Sequence, residues 1–331
     1  MIALVTGAAG FVGSHLVERL AAQGASVVAV DNLLTGKLAH LERVIASGRA
    51  VFVLGDVAVS PAHLRTLLHD ARVERIDEIY HLASPASPEA YGRHPWETLA
   101  VNALGTMATL DVARAFGARY LFSSTSEVYG DPLVHPQPED YFGNVNPVGP
   151  RACYDEGKRF GEAAVSVAAT TLGVDARIVR IFNCYGPRMD PGDGRLIPAL
   201  MSAALDGKPF PIHGDGSQTR SLTYVDDLVD GIVRVMRAPG ATHAPVNLGA
   251  DDERAVLEIA QALARVAGVP CTIESLPARP EDPSRRRPVT ARAAALGWRA
   301  STSLDDGLRA TYRWFAEWSG YGVARASVPS S

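Results

Sequence analysis

The feature that most restricts the fold of this chain is an alternation of short apolar runs with longer segments of helical periodicity. It extends from the N-terminus to about residue 180 of the 331 residues. Strands that alternate with helices build βαβ units, in which helices cover both faces of a parallel sheet. We therefore predict an α/β fold with a doubly wound parallel sheet. Its strands are expected at residues 2–5, 26–30, 51–54, 78–82, 119–123 and 176–181, and its helices at residues 11–23, 61–72, 95–116 and 151–172.

The pattern changes after Phe182. Proline and glycine cluster at residues 186–194 and 209–216, and shorter elements follow, among them helices near residues 226–236 and 255–267. No flexible Gly/Ser linker separates the two parts, so we expect two lobes rather than independent domains. The predicted division is a cofactor-binding domain at residues 1–182, a smaller C-terminal α/β substrate lobe at residues 183–318 with some crossing of the chain, and a loosely ordered tail at residues 319–331.

Composition excludes several classes of protein. Hydrophobic residues make up 47% of the chain, enough for a sizeable core, and a net charge of −4 without a basic block disfavours nucleic-acid or anionic membrane partners. No run of 18 apolar residues predicts a membrane span, and we expect no signal peptide. Cys153, Cys184 and Cys271 lie far apart without CxxC spacing, which predicts neither a disulfide framework nor a metal site. We expect a cytoplasmic protein.

The first predicted strand leads directly into a glycine-rich loop, Gly7-Ala-Ala-Gly10-Phe-Val-Gly13, followed by a helix. Glycines at these positions allow a sharp turn and a close approach to a pyrophosphate, which the helix N-terminus attracts. The spacing GxxGxxG alone is equally typical of a structural turn. Asp31, after the second strand, strengthens the case because its carboxylate suits ribose hydroxyls and repels a 2′-phosphate. The glycine loop and Asp31 together predict NAD rather than NADP. Asp56, after the third strand, is placed either to meet the adenine or to cap its own loop.

A second set of residues suggests proton chemistry. Tyr154 and Lys158 lie at i and i+4 of a predicted helix and share one face, so the ammonium of Lys158 can lower the pKa of the Tyr154 hydroxyl. An exposed tyrosine and lysine would give the same spacing. Thr125 and Glu127 directly follow the fifth strand, at the edge of the sheet where such folds bind ligands. Thr125 is expected to bond the hydroxyl that Tyr154 deprotonates, and Glu127 to exchange a second proton.

Six longer motifs carry a resemblance to the extended short-chain dehydrogenase/reductases, which have a Rossmann fold. Within them, the chain resembles the UDP-glucuronate decarboxylase (UDP-xylose synthase) family. The motifs are HLASPASP at residues 81–88, STSEVYGDP at 124–132, HPQPEDYFGNVNPVGPRACYDEGKR at 135–159, RIFNCYGPRM at 180–189, DGSQTRSLTYVDDLVDG at 215–231 and EDPSRRRP at 281–288.

The resemblance implies an NAD-dependent carboxy-lyase. NAD would take hydride from C4 of a nucleotide-linked glucuronate while Tyr154 takes the hydroxyl proton. The 4-keto intermediate would then lose CO2, and protonation at C5 and return of hydride would give the nucleotide xylose, with or without some release of the 4-keto pentose. Glu127 matches the acidic residue associated with C5, and Arg286 matches an arginine near the sugar ring.

The resemblance also widens the expected sites. Besides the glycines and aspartates named above, Tyr154 and Lys158, the cofactor is expected to contact Phe11, Val12, Asn32, Gly36, Val57, Leu82, Ala83, Ser84 and Asn102. Besides Glu127 and Arg286, the substrate is expected to contact Pro85, Tyr91, Ser126, Asn183, Arg195, His213, Gln218, Arg220 and Tyr224. Tyr91 could equally be a packing residue.

Several alternatives stay open at this point. His213 stands where the family often has tyrosine beside the nucleobase, so dTDP-glucuronate is an alternative to UDP-glucuronate. A nucleotide-sugar 4-epimerase or 4,6-dehydratase would share Tyr154 and Lys158, and a non-catalytic NAD sensor would share the glycine loop. By resemblance, the helices at residues 95–116 and 151–172 pair across a homodimer, although packing within the monomer would explain the same apolar faces.

Overall fold

The computed structural model of the chain describes residues 1–240, 242–278 and 285–318. The predicted tail at residues 319–331 and the first four residues of the EDPSRRRP motif lie outside these ranges. The strands are β1 Ile2–Thr6, β2 Ser26–Asp31, β3 Ala50–Leu54, β4 Glu78–His81, β5 Arg119–Thr125, β6 Ala176–Ile181, β7 Cys184–Tyr185, β8 Phe210–His213, β9 Thr219–Ser221, β10 Thr223–Tyr224, β11 Val246–Leu248, β12 Glu253–Ala255, β13 Ile273–Leu276 and β14 Arg285–Arg286.

Helices connect most of these strands. The α-helices are α1 Phe11–Ala22, α2 Glu42–Ala46, α3 Pro61–Asp70, α4 Pro88–Arg93, α5 Pro95–Ala100, α6 Thr106–Phe116, α7 Ala152–Leu172, α8 Leu196–Asp206, α9 Val225–Arg237, α10 Val256–Ala267, α11 Ala291–Ala295 and α12 Leu304–Glu317. None of the helices in the described part of the chain is long and apolar enough to cross a membrane.

The central sheet has seven strands in the order β11-β6-β5-β4-β1-β2-β3, and every neighbouring pair is parallel. The predicted doubly wound parallel sheet is confirmed. The chain runs from β1 to β3 in one direction and from β4 to β6 in the other, so the strand order reverses between β1 and β4. Ligands of such sheets bind at the carboxyl ends of the strands beside this reversal.

Both faces of the sheet are buried, which explains why its strands are apolar runs rather than alternating patterns. On one face, Leu16 and Leu20 of α1 pack with Ile232 of α9. On the other face, Leu64 of α3 packs with Val112 of α6, and helix α7 joins the same layer. The sheet therefore holds the ends of β1, β4 and β5 rigidly beside one another.

The helix predicted at residues 95–116 is present, but one of its turns departs from α-helical geometry. It consists of α5, a π-helical turn at Val101–Gly105, and α6. A π turn holds one extra residue, and such turns occur often at functional sites. Here Asn102 lies fully buried in the turn, and its Nδ2 donates to the carbonyl of Thr98 and to Oγ of Ser84, both at 2.9 Å. The turn thus connects the helix to the loop after β4.

The C-terminal part forms a smaller lobe of short sheets and helices. Its core includes Leu200 of α8, Ile259 of α10 and Leu308 of α12. Two elements from this part of the chain pack with the large sheet instead. Strand β11 pairs with β6 of that sheet, and helix α9 packs beside α1 on one of its faces. The domain division at residue 182 stays a prediction.

Candidate active site

The glycine loop has a different steric requirement at each of its three glycines. Gly7 has a φ of +67°, and a Cβ there would lie 2.8 Å from Cα of Ala83. A Cβ at Gly13 would lie 2.0 Å from the carbonyl oxygen of Gly7, so α1 could not pack against the loop. A Cβ at Gly10 would meet only that same oxygen, at 3.2 Å. Gly10 is therefore the glycine that the fold needs least, which leaves its open face for a phosphate.

Asp31 is fixed at the end of β2 by the glycine loop. Its carboxylate accepts hydrogen bonds from the backbone N–H of Ala9 at 2.9 Å and of Leu33 at 2.8 Å. Burial raises its pKa, and the two N–H donors oppose that rise. A Cβ at Gly36 would lie 2.9 Å from Oδ1 of Asp31 and would crowd the carboxylate. The glycine therefore keeps Asp31 open, as recognition of a ribose requires.

A groove of about 720 Å³ extends from the glycine loop along the end of β2. Asp56 lies in it and accepts hydrogen bonds from Nδ2 of Asn32 at 3.0 Å and from the N–H of Ala58 at 2.7 Å, so it does cap its own loop. The groove fits NAD, since it combines an open phosphate-binding turn with an acidic ribose position. The predicted cofactor residues that line it are Gly7, Gly10, Phe11, Val12, Gly13, Asp31, Asn32, Gly36, Asp56, Val57, Leu82, Ala83 and Ser84.

A second cavity, of about 290 Å³, adjoins the groove and shares Phe11, Ser84 and Arg195 with it. It brings together the predicted catalytic residues from β5, α7 and β14. The predicted residues that line it are Thr125, Glu127, Tyr154, Lys158 and Arg286 from the catalytic set, and Tyr91, Ser126, Asn183, Arg195, His213, Gln218 and Arg220 from the substrate set.

Three predicted residues lie elsewhere. Asn102 lines neither of these two cavities and reaches the cofactor groove only through Ser84. Pro85, expected at the substrate, lines the cofactor groove. Tyr224 begins α9, and its ring packs edge-on against Tyr185 with 5.8 Å between ring centres, so its bulk serves the core of the C-terminal lobe.

Tyr154 is buried at the start of α7, and its ring stacks on Tyr91 with 5.3 Å between centres. The stacking shows that Tyr91 packs in the site as well as lining it. Burial raises the pKa of Tyr154, and a hydrogen bond with Thr125 opposes the rise. The effect of Lys158 on this pKa stays a prediction, because burial dominates the pKa of Tyr154. Nζ of Lys158 lies 5.9 Å from the centre of the Tyr154 ring.

The ammonium of Lys158 points instead at strand β5. Its Nζ donates to the carbonyl of Ser123 at 2.7 Å, and burial lowers the pKa of Lys158 to about 7. The next residue of the strand, Ser124, is held by a network of hydrogen bonds. Its Oγ donates to Glu162 at 2.5 Å, and Arg180 binds both carboxylate oxygens of Glu162. The network fixes the end of β5, on which Thr125 and Glu127 depend.

Glu127 is clamped between two guanidinium groups. Arg286 donates to both of its carboxylate oxygens, with 2.9 Å between Nη2 and Oε2, and Arg151 donates to Oε2. Burial acts to raise the pKa of Glu127, but the charges of Arg286 and Arg151 outweigh it and leave the pKa lowered. Glu127 is thus an ionised carboxylate near neutral pH.

Strand pairing places a third guanidinium beside this clamp. Strand β14 pairs with β9 in parallel register, which puts Arg286 directly opposite Arg220. Both side chains are buried and line the cavity. Arginine binds carboxylate and phosphate through two parallel hydrogen bonds, so this corner of the cavity suits a substrate with several negative charges.

Arg151 is the main residue of the site that the sequence reasoning missed. It is the N-cap residue of α7, three residues before Tyr154, and Asp155 lies 3.7 Å from its Nε. Burial and the nearby charge of Glu127 raise the pKa of Asp155 to about 7. The signal was its position in the motif PRACYDEGKR, one turn before Tyr154, but its partner Glu127 is 24 residues away in the sequence.

Comparison with known proteins agrees with this geometry. A profile of the NAD dependent epimerase/dehydratase family matches residues 3–249. UDP-glucuronic acid decarboxylase 1 of Danio rerio is 44% identical over 314 residues, which are 95% of this chain and 72% of that protein. UDP-glucuronic acid decarboxylase 1 of Arabidopsis thaliana is 44% identical over 306 residues, which are 92% of this chain and 67% of that protein.

Solved structures of related enzymes share the whole architecture. UDP-glucuronic acid 4-epimerase of Bacillus cereus, in complex with UDP-glucuronic acid and NAD, superposes with a TM-score of 0.84 at 29% identity and covers 96% of this chain and 100% of that one. The dTDP-glucose 4,6-dehydratase of Streptomyces venezuelae, with NAD bound, gives a TM-score of 0.85 at 30% identity, covering 97% and 98% of the two chains.

Proposed function

Because the chain belongs to the NAD dependent epimerase/dehydratase family and, within it, to the UDP-glucuronic acid decarboxylases, we propose that it converts UDP-glucuronate to UDP-xylose through a 4-keto intermediate. The observation that carries the proposal is the pair of guanidinium groups on Glu127, at the end of β5 and in the same cavity as Tyr154. One cavity thus holds Tyr154, which can accept a proton, and two arginines, which can bind a carboxylate or an enolate.

The first half of the reaction is oxidation at C4. NAD, when bound in the groove, would supply the hydride acceptor for this step and the hydride donor for the final reduction. Tyr154 takes the proton of the C4 hydroxyl, and Thr125, its hydrogen-bond partner, orients that hydroxyl. Because burial raises the pKa of Tyr154, the phenolate needs a positive charge close by. Lys158 is the nearest candidate on the same face of α7. Burial lowers its pKa to about 7, and a phenolate beside it would favour its charged form.

The second half is loss of CO2. The ketone at C4 is β to the C6 carboxylate, so the C5–C6 bond breaks and its electron pair forms an enolate. Arg286 and Arg151 compensate the negative charge, an interaction strengthened in a site that excludes water. When the substrate draws Arg286 away from Glu127, the pKa of Glu127 rises because burial is then less opposed, and Glu127 can carry a proton to C5.

Two alternatives from the sequence remain within the same family. A 4-epimerase acting on UDP-glucuronate would leave C5 unchanged and would release no CO2. A dTDP-linked substrate would change only the nucleobase contacts. His213, which lines the cavity, bonds the carbonyl of Pro277 through Nδ1 at 2.9 Å, so its ring has a fixed position near the expected base. Both relatives of more than 40% identity named above are UDP-glucuronic acid decarboxylases, which favours UDP.

The test is to incubate the protein with NAD and either UDP- or dTDP-glucuronate in deuterated water and to analyse the products by mass spectrometry. We expect CO2 and a nucleotide pentose that carries deuterium at C5, formed faster from the UDP sugar. Glu127→Ala and Arg286→Ala should reduce CO2 release about a hundredfold or more while NAD still binds. Formation of the galacturonate epimer without CO2 would contradict the proposal.

We also propose that the protein is a homodimer. Several apolar side chains of the segment from α5 to α6, and of α7, face solvent rather than the core of the monomer. The exposed residues are Trp96, Leu99, Leu104, Met107, Phe160 and Val167. Packing within the monomer covers only part of the apolar surface of these helices, and a second copy of the chain would cover the exposed part. The cytoplasmic location stays a prediction from composition.

A further inference from the structure

A loop of the substrate lobe, residues 186–195, passes over the cofactor groove between β7 and α8. We refer to it as the crossing loop. Arg188, Asp190, Asp193 and Arg195 of the loop all line the groove, and Arg195 also lines the substrate cavity. Asp193 holds Arg195 there through hydrogen bonds to Nε at 2.8 Å and Nη2 at 2.5 Å. The loop is therefore shared by both binding sites.

Two contacts attach the start of the crossing loop to helix α1. Nε2 of His15 donates to the carbonyl of Pro187 at 3.0 Å, and Arg188 forms an ion pair of 2.8 Å with Glu18. Arg188 has a φ of +70°, a left-handed conformation that is unfavourable for arginine and persists only where the surroundings impose it. These contacts fix the loop beside the groove without closing it.

One contact spans the groove. Lys37, in the loop after β2, forms an ion pair of 2.7 Å with Asp190 of the crossing loop, and both residues line the groove. The backbone N–H of Lys37 donates to the carbonyl of Ala9 in the glycine loop at 3.0 Å. The ion pair thus joins the phosphate-binding turn to the substrate lobe.

Each partner of the ion pair has a second support. Nζ of Lys37 lies 4.6 Å from the centre of the Trp318 ring, which stacks on Trp314 of α12. Oδ1 of Asp190 accepts a hydrogen bond from the N–H of Gly192 at 2.8 Å, while Oδ2 faces Lys37. Burial acts to raise the pKa of Asp190, and the hydrogen bond from Lys37 helps to leave it lowered, so Asp190 is charged at neutral pH.

We propose that the Lys37–Asp190 pair is a latch that slows the escape of the cofactor and so sets the ratio of pentose to 4-keto pentose among the products. The proposal rests on the proposed function in one respect, the identity of the products. In a complete cycle the hydride taken from C4 returns to C4, and the substrate loses CO2 and gains one proton. If the cofactor leaves after decarboxylation, one 4-keto pentose and one NADH are released for each CO2. Retention of the cofactor therefore decides the product.

The experiment compares Lys37→Met and Asp190→Asn with the wild type. Asparagine keeps an oxygen for the N–H of Gly192 and removes only the charge. Lys208→Met is the matched control, because Lys208 forms an exposed ion pair of 3.0 Å with Asp206 away from the groove. Each protein is saturated with NADH and mixed with excess NAD, and the release of NADH is followed by its fluorescence. The products from UDP-glucuronate are then quantified by mass spectrometry.

We expect NADH to leave about fivefold faster from each latch variant, which is the effect of an ion pair at the upper end of the range for partly exposed pairs. The double variant should release NADH no faster than either single one, because one interaction is lost in all three. The share of 4-keto pentose among the products should rise in each of the three latch variants, and Lys208→Met should match the wild type. High salt should accelerate release from the wild type more than from Lys37→Met.

Unchanged NADH release in both single variants would overturn the latch, and so would a double variant whose effect is the product of the two. An unchanged product ratio despite faster release would overturn its role in product choice. A wild type that forms no CO2 would refute the proposed function, while the release rates would still test the latch.

Discussion

The charges around Glu127 determine what that residue can do. A carboxylate buried alone would have a raised pKa and would be protonated near neutral pH. The charges of Arg286 and Arg151 reverse this effect. A buried ion pair of this kind costs desolvation energy and is weak evidence for stability, so its presence at the end of β5 fits a functional requirement better than a structural one.

Replacement of Arg151 by methionine tests this balance. The variant keeps an unbranched apolar stem but removes one of the two charges that lower the pKa of Glu127. The pKa of Glu127 should therefore rise, and the pH below which activity is lost should move upward. Decarboxylation at neutral pH should fall about tenfold or more. The measurement is the pH dependence of kcat and of kcat/KM.

Arg151→Lys is the matched control, since it restores the charge without the two-pronged geometry. It should recover the acid limb of the pH profile and only part of the rate. An acid limb at the same pH in Arg151→Met and in the wild type would show that Arg151 does not control the ionisation of Glu127.

Single residues were predictable from the sequence where a local motif fixes them. Thr125 and Glu127 follow a recognisable strand, and Tyr154 and Lys158 share a helix turn. The pairing of Glu127 with Arg286 joins residues 159 positions apart, and only the tertiary structure brings them together. Tyr224 stays a prediction as a substrate residue. The packing of its ring against Tyr185 is likewise a tertiary contact that nothing local in the sequence shows.

At the scale of elements, the turn from β1 into α1 gives a sharp contrast between two glycines. Gly13→Ala should destabilise the protein strongly, because its Cβ would lie 2.0 Å from a backbone oxygen that cannot move away cheaply. Gly10→Ala should fold with a loss of about 1 kcal/mol or less, because its Cβ meets that oxygen only at 3.2 Å.

Gly10→Ala, which should change stability little, should instead weaken the binding of NAD. Gly10→Ala places a methyl group where the pyrophosphate approaches, so we expect NAD to bind at least about tenfold more weakly to a folded protein. Urea denaturation gives the free energy of unfolding, and titration calorimetry gives the Kd of NAD. Normal NAD affinity in Gly10→Ala would contradict the assignment of the phosphate position.

Elements were predictable where periodicity is strong, but local departures from regular geometry were not. All six predicted strands are present within a few residues, because buried parallel strands are short apolar runs. The segment at residues 95–116 has a continuous helical pattern, yet the π turn interrupts it where Asn102 reaches Ser84. The three residues of β11 carry too little pattern to predict and become a strand only because β6 offers them an open edge.

At the scale of the whole molecule, the two lobes share their elements. Strand β11 and helix α9 complete the large sheet and one of its layers, while the crossing loop returns over the cofactor groove. A linear division of the sequence cannot represent this exchange. The division predicted from the change in composition after Phe182 therefore stays a prediction. The active site lies where the lobes meet, so its two arginines come from opposite parts of the chain.

The exposed apolar face of α6 and α7 makes a prediction for the assembly. Sedimentation velocity should give a particle of twice the chain mass of 35.1 kDa. Met107→Glu, at a side chain that is 52% exposed in the monomer, would bury an unpaired charge in the interface. We expect it to raise the Kd of the dimer about a hundredfold or more. Val51→Glu is the matched control, because Val51 is similarly exposed at 59% but lies on β3, at the far edge of the sheet. A wild type that sediments as a monomer, or equal dissociation in both variants, would contradict the proposed interface. A monomeric Met107→Glu beside a dimeric Val51→Glu would place the second copy on α6 and α7.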